Sequence, residues 1–574
     1  MGAEHTVANV DALLKAVKDS ASGDVITLNA GTYTLTSTLA ISRALTLKSS
    51  AGAILSGGNN VGVLQISANA AVNGLTITGG NADQGAGIYV LQNASVTITN
   101  SKITGNFAAD CGGGVYLDSG TTLTLDSCDI SNNSAHFGGG IYADAESTIT
   151  ITASKVSDNS ANLGGGIYDS SSTAKIADST FSGNRAVAKG GSLYHSSNNN
   201  TEVTNCKITD SSADTGGSVF NHSGTLTLTN CTISDSEAET NDRGVFNIGT
   251  LTLTGCIFTG NNAIGSGGGL YTIRGTVALT NCAISGNTAA QNGGGIFNAT
   301  GSGSLTFTNC SISGNEATIS GSLYNNIGAS TFIRCSVFDN EANGGNGDGI
   351  AMQQDTAALT SSTLTGNSAR DSSGGIYVSG GSLSMMSCTV TDDTSGGGQE
   401  LSVASGATAN LVNTLLYGNV SGIASYTKIW ENMGSNYGNT SKDITEVLLE
   451  SDSFAYTGQP IEPEVTVFAS GDVVPEDGYT VEYMDNVEPD RASVTVRGVG
   501  EYAGVIHVCF EITPSEEDTS DEDYTPGEDD TSGEDDSSPI YRSSRSGCNV
   551  MGSISAALGL GFLLAVNVKR FRRR

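Results

Sequence analysis

A spacing of about 26 residues limits what this chain can become more than any other feature. Equivalent positions fall at Leu75, Ser101, Cys128, Ser154, Ser179, Cys206, Cys231, Cys256, Cys282, Cys310, Cys335, Ser362, Cys388 and Thr414. Self-similarity at a fixed period marks a solenoid, because one turn cannot bury its own apolar side and must stack on the next. Each marker is therefore read as one coil, and roughly fifteen coils at about 4.8 Å per stacked strand give a length on the order of 70 Å.

Within a coil the order is a glycine triplet with an aliphatic and an aromatic residue, a polar turn, an alternating Leu/Thr segment, then the marker and an ISGN-like segment, as in Gly267–Tyr271, Leu279–Cys282 and Ile284–Asn287. Strict alternation points leucines inward and threonines outward, while Gly, Asn and Ser supply corners that need unusual φ/ψ. Three short strands per coil are expected. The fold class is accordingly all-β, a parallel β-helix.

Three side-chain rows should run along the stack. Asparagine recurs five residues past the marker, at Asn106, Asn133, Asn159, Asn184, Asn261, Asn287, Asn315, Asn340, Asn367 and Asn419, where amides can bond from coil to coil. Alanine follows two residues later in most coils, as a tight inward corner requires. The cysteines Cys206, Cys231, Cys256, Cys282, Cys310 and Cys335 each precede an inward apolar residue by two and are read as small buried thiols; inter-coil disulfides or a metal are the other readings. An aromatic row follows the aliphatic residue: Tyr89, Tyr116, Tyr142, Tyr168, Tyr194, Phe220, Phe246, Tyr271, Phe297, Tyr324 and Tyr377. Adjacent strand residues face opposite sides, so these rings should lie outside. There they could stack on sugar faces or a partner surface, or close the sheet against themselves.

The net charge of −33 makes nucleic acid an implausible partner. Much of it sits in one run, Ser515 to Asp536, read as a solvated linker. No cofactor and no metal site is expected. The acids of the coils, Asp110, Asp118, Asp144, Asp169, Asp348 and Asp371, are scattered, Asp158, Asp210, Asp235 and Asp339 are turn residues, and His195 and His222, one coil apart, are read as surface residues.

The recurring Gly-Gly-Gly-Ile-Tyr and I/F-x-x-N elements (Phe181 to Asn184, Phe258 to Asn261) resemble the repeats of polymorphic outer-membrane proteins and the wider pectate-lyase-like superfamily of right-handed parallel β-helices. The resemblance covers about residues 1–440 and implies an exported protein; activity does not follow from it. No β-barrel translocator segment follows the repeats, and no signal peptide precedes residue 5, so an export signal would have been removed.

Five segments are expected: a helical cap over 1–24, with Val10, Leu13, Leu14 and Val17 at helical spacing, the β-helix over 25–445, a small β-sandwich over 446–513, the acidic linker over 514–547, and a membrane segment over 548–574. A far cap is placed between Ser421 and Lys442, near Trp430. The sandwich resembles immunoglobulin-like modules of bacterial surface proteins through Phe454-Ala455-Tyr456-Thr457-Gly458. The apolar stretch from Val550 to Val568 is long enough to cross a bilayer, and the basic tail from Lys569 should stay cytoplasmic. Gly547 and Cys548, followed by that stretch and tail, resemble C-terminal sorting signals of the Synergistetes type, which implies Cys548 as a processing or lipid-attachment point; a plain anchor is the other reading.

The expected function is a non-enzymatic, adhesin-like cell-surface protein presenting a repetitive face to a host surface or glycan, with Tyr89, Tyr116, Tyr142, Tyr168, Tyr194, Tyr271, Phe297 and Tyr324 as the contact row. A polysaccharide lyase or glycoside hydrolase is the first rival, and a structural envelope protein the second.

Overall fold

The computed structural model describes residues 2–513 apart from short stretches, the longest being 422–428 and 432–441. The predicted membrane segment, linker and Gly547-Cys548 pair lie outside the described residues. Among the described residues no helix is long and apolar enough to cross a membrane. Contacts divide the chain into two compact units, Met1–Gly434 and Ser435–Arg574.

The first unit is a parallel β-solenoid. The Leu/Thr segments form one 17-stranded parallel sheet, and the glycine–aromatic segments form a 16-stranded one. The segments after the marker form a third stack, with Ile284 paired to Phe258 on one side and Ile312 on the other. The strand Thr225–Thr229 shows why: Leu226 and Leu228 are wholly buried while its threonines are half-buried outside. Three strands per coil is an undercount. A fourth short strand, such as Arg185–Lys189 or Thr288–Asn292, lies between the asparagine and the glycine triplet, and ten of these stack. Only Ala186 or Ala289 turns inward there, so these segments carry too little alternation to read as strands.

The asparagine row forms two ladders, Asn106 to Asn184 and Asn261 to Asn367, separated by Ser211 and Ser236. Asn261 Nδ2 donates to Asn287 Oδ1 at 2.9 Å, Asn287 to Asn315 at 3.0 Å, Asn315 to Asn340 at 2.9 Å and Asn340 to Asn367 at 2.8 Å. The same oxygens accept the backbone N–H of the preceding rung, as in Asn261 N to Asn287 Oδ1 at 3.1 Å. The third glycine of each triplet makes room for it: a Cβ on Gly295 would stand 3.2 Å from Asn315 Cγ. At Ser192 that glycine is a serine and the ladder position holds Ser211, the two hydroxyls bonding at 2.7 Å; Ser218 and Ser236 repeat the exchange, whereas Ser322 occupies the same place with Asn340 kept in the ladder.

The marker position has a second task besides filling the core. Each Ser or Cys donates to the carbonyl two residues before it, closing the corner: Ser154 to Thr152 O at 2.7 Å, Cys231 to Thr229 O at 3.3 Å, Cys310 to Thr308 O at 3.3 Å. A small side chain with one donor is therefore what the corner selects. The residue before it sits at positive φ, as at Asn100 (48°), Ser127 (55°) and Asn230 (51°).

At the beginning, the helix Val10–Asp19 is capped by Asn9, whose Oδ1 accepts Ala12 N–H at 2.9 Å. Leu13, Ala16 and Val17 join the solenoid core, whereas Leu14 is 38% exposed. The residues before it also supply a strand, Glu4–Val7, paired with Val25–Leu28. At the other end Leu415 pairs with Trp430, so winding reaches the residue where the repeat pattern fades.

In the second unit, the strand Lys442–Leu449 pairs antiparallel with Val465–Ala469, and Arg491–Gly498 pairs antiparallel with Tyr479–Met484 and Val505–Thr513. These belong to two four-stranded sheets, and Val447, Val467, Val494 and Val496 from both share one buried cluster.

The last rung with a described side chain is an acid; the side chain of Asn419, the rung expected after it, lies outside the described residues. Asn367 donates its N–H and its Nδ2 to Asp393 Oδ1 at 2.7 and 2.8 Å, while Asp393 Oδ2 has no partner and Glu400 Oε2 accepts Asp393 N–H at 3.3 Å. Both carboxyls are buried with Asp392 beside them and, among the described residues, no cation paired to them. Burial first, and then the charge of Asp393, pushes Glu400 up to about 8; burial likewise raises Asp393.

Replacing Asn287 by Ala removes both its accepting and donating bonds inside the stack and leaves buried donors on Asn261 unpaired. Denaturant unfolding should show a loss of about 3 kcal/mol, and an unchanged midpoint would refute the ladder's role. A second expectation concerns pH. An unfolded carboxyl ionises near pH 4, whereas Asp393 and Glu400 stay protonated higher, so the native end coils hold the extra protons and lose stability as pH rises from about 4 toward 8. Asp393→Asn completes the ladder with an amide and should flatten that dependence, measured as the unfolding midpoint across this range.

Candidate functional site

The aromatic row lies outside the central core, as alternation requires: Val115 and Ile141 belong to the core, and Tyr116 and Tyr142 do not. Their ring faces, however, are turned to one another. Centroids are 5.2 Å apart from Tyr116 to Tyr142, 5.2 Å to Tyr168, 4.8 Å to Tyr194, 5.2 Å to Phe220 and 4.8 Å to Phe246, with planes within 6°. Tyr271, Phe297 and Tyr324 continue the row at 4.9 and 5.3 Å, and Tyr89 meets Tyr116 edge-on at 4.9 Å. Pleated strands about 4.8 Å apart place in-register rings at this distance without adjustment.

Neighbours cover part of the remaining sides, leaving Tyr89, Tyr142, Tyr168 and Tyr271 half-buried and the other stacked rings buried. The first glycine of each triplet packs on the ring, since a Cβ on Gly112 would stand 2.8 Å from Tyr116 Cβ; Leu163, Ile248 and Ile273 shield the row, and Lys189 Nζ sits 4.7 Å over Phe220. Phe220 keeps 1% of its surface exposed. Burial, with Asp144 adding to it, raises the phenols of Tyr116 and Tyr142, so they remain neutral, and Tyr142, Tyr194 and Tyr324 bond to Ser170, Ser196 and Gln353. The stacked rings turn their faces to one another and their edges outward, the arrangement of a row that closes the sheet against itself.

A groove that the sequence reading passes over runs along the marker corner. It is open, about 690 Å³, and crosses six coils, flanked by Lys102, Asp129, Lys155 and Thr180 on one side and exposed Asn100, Ser127 and Asp178 on the other, with the buried markers Ser101, Cys128 and Ser154 between them. Lys102 Nζ and Asp129 Oδ2 are 3.1 Å apart. The flanking turn residues were legible only as turn punctuation. The available signal was the residue after the marker, which is lysine in alternate coils at Lys102, Lys155 and Lys207.

His195 is the clearest correction. It is wholly buried, not on the surface: Nδ1 bonds Asp169 Oδ2 at 2.7 Å, Thr201 Oγ1 donates to the same oxygen at 3.0 Å, and Ser172 N–H donates to Asp169 Oδ1 at 2.9 Å. The third strand residue, inward at Leu117 and Ala143, becomes Asp169, His195, Asn221 and Asn247 on successive coils, and there it caps the next turn, as Asn247 does for Gly249 O at 2.9 Å. With no solvent access this cluster acts on no substrate. Asp118 and Asp144, neighbours on the outside, each accept the following backbone N–H, at 2.7 and 2.8 Å, and serve as turn residues. Among the described residues no three His, Cys, Asp or Glu side chains converge to hold one metal ion.

Phe220→Ala should leave a void between Tyr194 and Phe246 and lower stability by about 3–5 kcal/mol in denaturant unfolding; a neutral result would mean the rings are free for a ligand.

The family described as right handed beta helix region matches residues 46–208, 165–312 and 219–385. No curated protein matches the chain. Among solved structures, pectate lyase Pel9A is 15% identical over 54% of this chain and 70% of that one, with a TM-score of 0.24. The PL6 family alginate lyase AlyGC is 12% identical over 79% and 80%, with a TM-score of 0.30. The A-module of the mannuronan C-5 epimerase AlgE4 of Azotobacter vinelandii is 12% identical over 75% and 100%, with a TM-score of 0.26. The family matches jointly span residues 46–385, more than half of the 574, and fall on the parallel coils described above: the chain belongs to the right-handed β-helix region family.

Proposed function

We propose that this protein is a non-enzymatic, adhesin-like component of a bacterial cell surface, and that its solenoid seats a linear glycan along the marker-corner groove. The single observation that carries this reading is the regularity of the coils. Strands pair in register one after another, and the groove is open and unwalled, whereas catalysis on a polymer needs a site that gathers charged groups and shuts out water. The groove supports a glycan in particular because it repeats hydroxyls and amides at the strand spacing of about 4.8 Å, close to the rise of an extended sugar chain. Two lysines against two aspartates leave it near neutral, which favours a neutral glycan over a polyuronate.

In this reading the second unit is an immunoglobulin-like sandwich acting as a spacer, residues 514–547 are a flexible acidic stalk, and residues 550–568 anchor the chain with its basic tail inside. Gly547 and Cys548 mark the processing or lipid-attachment point. The net charge of −33 disfavours nucleic acid.

The test is binding of the full-length chain to an array of linear neutral and acidic glycans. Saturable retention on a neutral polymer, weakened about tenfold (about 1.4 kcal/mol) by Thr180→Arg or Lys155→Ala, is the expected result. Binding indifferent to both changes moves the site elsewhere. Release of oligosaccharides from any polymer overturns the non-enzymatic reading in favour of a lyase or hydrolase, and self-association without glycan binding favours a structural envelope protein.

A further inference from the structure

Six consecutive coils carry a cysteine at the marker corner: Cys206, Cys231, Cys256, Cys282, Cys310 and Cys335, all free and buried. They stand directly above one another. The residues two before them, Thr204, Thr229, Thr254, Thr280, Thr308 and Ile333, are register partners in turn, and so are the residues one after them, from Lys207 to Ser336. Backbone bonds hold that spacing, with Ala283 N–H on Cys256 O at 2.9 Å and Ser311 N–H on Cys282 O at 2.9 Å. Each thiol also interacts with the next, from Cys206 to Cys335 without a break.

The spacing decides what such a column can do. A disulfide draws two sulfurs to about 2.05 Å and two Cβ atoms to about 3.8 Å, which stacked strands about 4.8 Å apart oppose. An ion bound midway between two sulfurs, with metal–sulfur bonds of about 2.3 Å, needs them about 4.6 Å apart. Thiolate ligands select soft ions such as cuprous copper, and only two ligands are then required per ion.

We propose that this thiol column is a binding site for soft monovalent ions, cuprous copper or silver, one in each gap between neighbouring sulfurs. Each ion forms bonds to two sulfurs and displaces one thiol proton to solvent, so one positive charge enters as one leaves and no electron moves. Six sulfurs leave five gaps. Cys128 and Cys388 occupy the same corner but have Ser101, Ser154, Ser362 and Thr414 as their neighbours, and hold no ion.

The experiment equilibrates the reduced full-length chain anaerobically with cuprous ion against a chromophoric cuprous chelator, at two incubation times that must agree. The expected result is retention of five ions, with a thiolate-to-metal absorption in the near ultraviolet. Cys282→Ser divides the column into three sulfurs and two, leaving three gaps, and should lower the stoichiometry from five to three. Serine occupies this corner at Ser154 and Ser362, so the variant keeps the fold, which far-ultraviolet circular dichroism checks. Cys128→Ser should change nothing. Loss of every ion to the chelator, a stoichiometry that Cys282→Ser does not alter, or mass loss showing paired oxidised cysteines in the freshly purified chain each overturns the proposal.

Discussion

The solenoid depends on one constraint: register. Every coil must meet the next residue for residue, because a slip of one position turns the alternating segments inside out and places threonine where leucine stood. Backbone pairing alone does not forbid such a slip. The asparagine ladder does, since the amide of Asn287 reaches Asn315 only when the coils are aligned, and its oxygen also takes the backbone N–H of Asn261. The thiol, hydroxyl and aromatic rows are consequences of that alignment. Once the strands are locked, any residue type repeated at one position becomes a column, whether or not its chemistry favours self-contact.

Much of the solenoid was legible because its signals are periodic and each repeats about a dozen times. Leucine–threonine alternation fixed which side of Thr225–Thr229 is buried, and the recurrence of asparagine identified the ladder before any geometry. What escaped were features set by differences between coils. The fourth strand has one inward alanine and offers no alternation. His195 breaks its row as a single residue, so its burial against Asp169 follows only from knowing that position faces inward. The packing of the ring faces stayed open for a related reason: alternation tells inside from outside, but being outside the core is not being exposed when Leu163, Ile248 and a glycine pack on the ring.

The groove shows the converse failure. One of its sides consists of residues such as Asn100 and Ser127, at positive φ, and their sequence reads as punctuation. Only when the turns stack do their polar atoms form a continuous channel with the lysines of alternate coils on its lip. Surface function in a solenoid of this kind arises between coils, and no one repeat contains it.

The exchange of glycine and asparagine for two serines carries a consequence for how such a chain changes length over time. Ser192 and Ser211 belong to one continuous stretch, as do Ser218 and Ser236. A duplication or deletion that moves a whole turn, beginning ahead of its glycine triplet and ending beyond its ladder residue, carries both halves of the pairing and meets its new neighbours with the backbone already matched. A break inside either stretch would separate hydroxyls that satisfy each other, so changes of length by whole windings disturb the stack least.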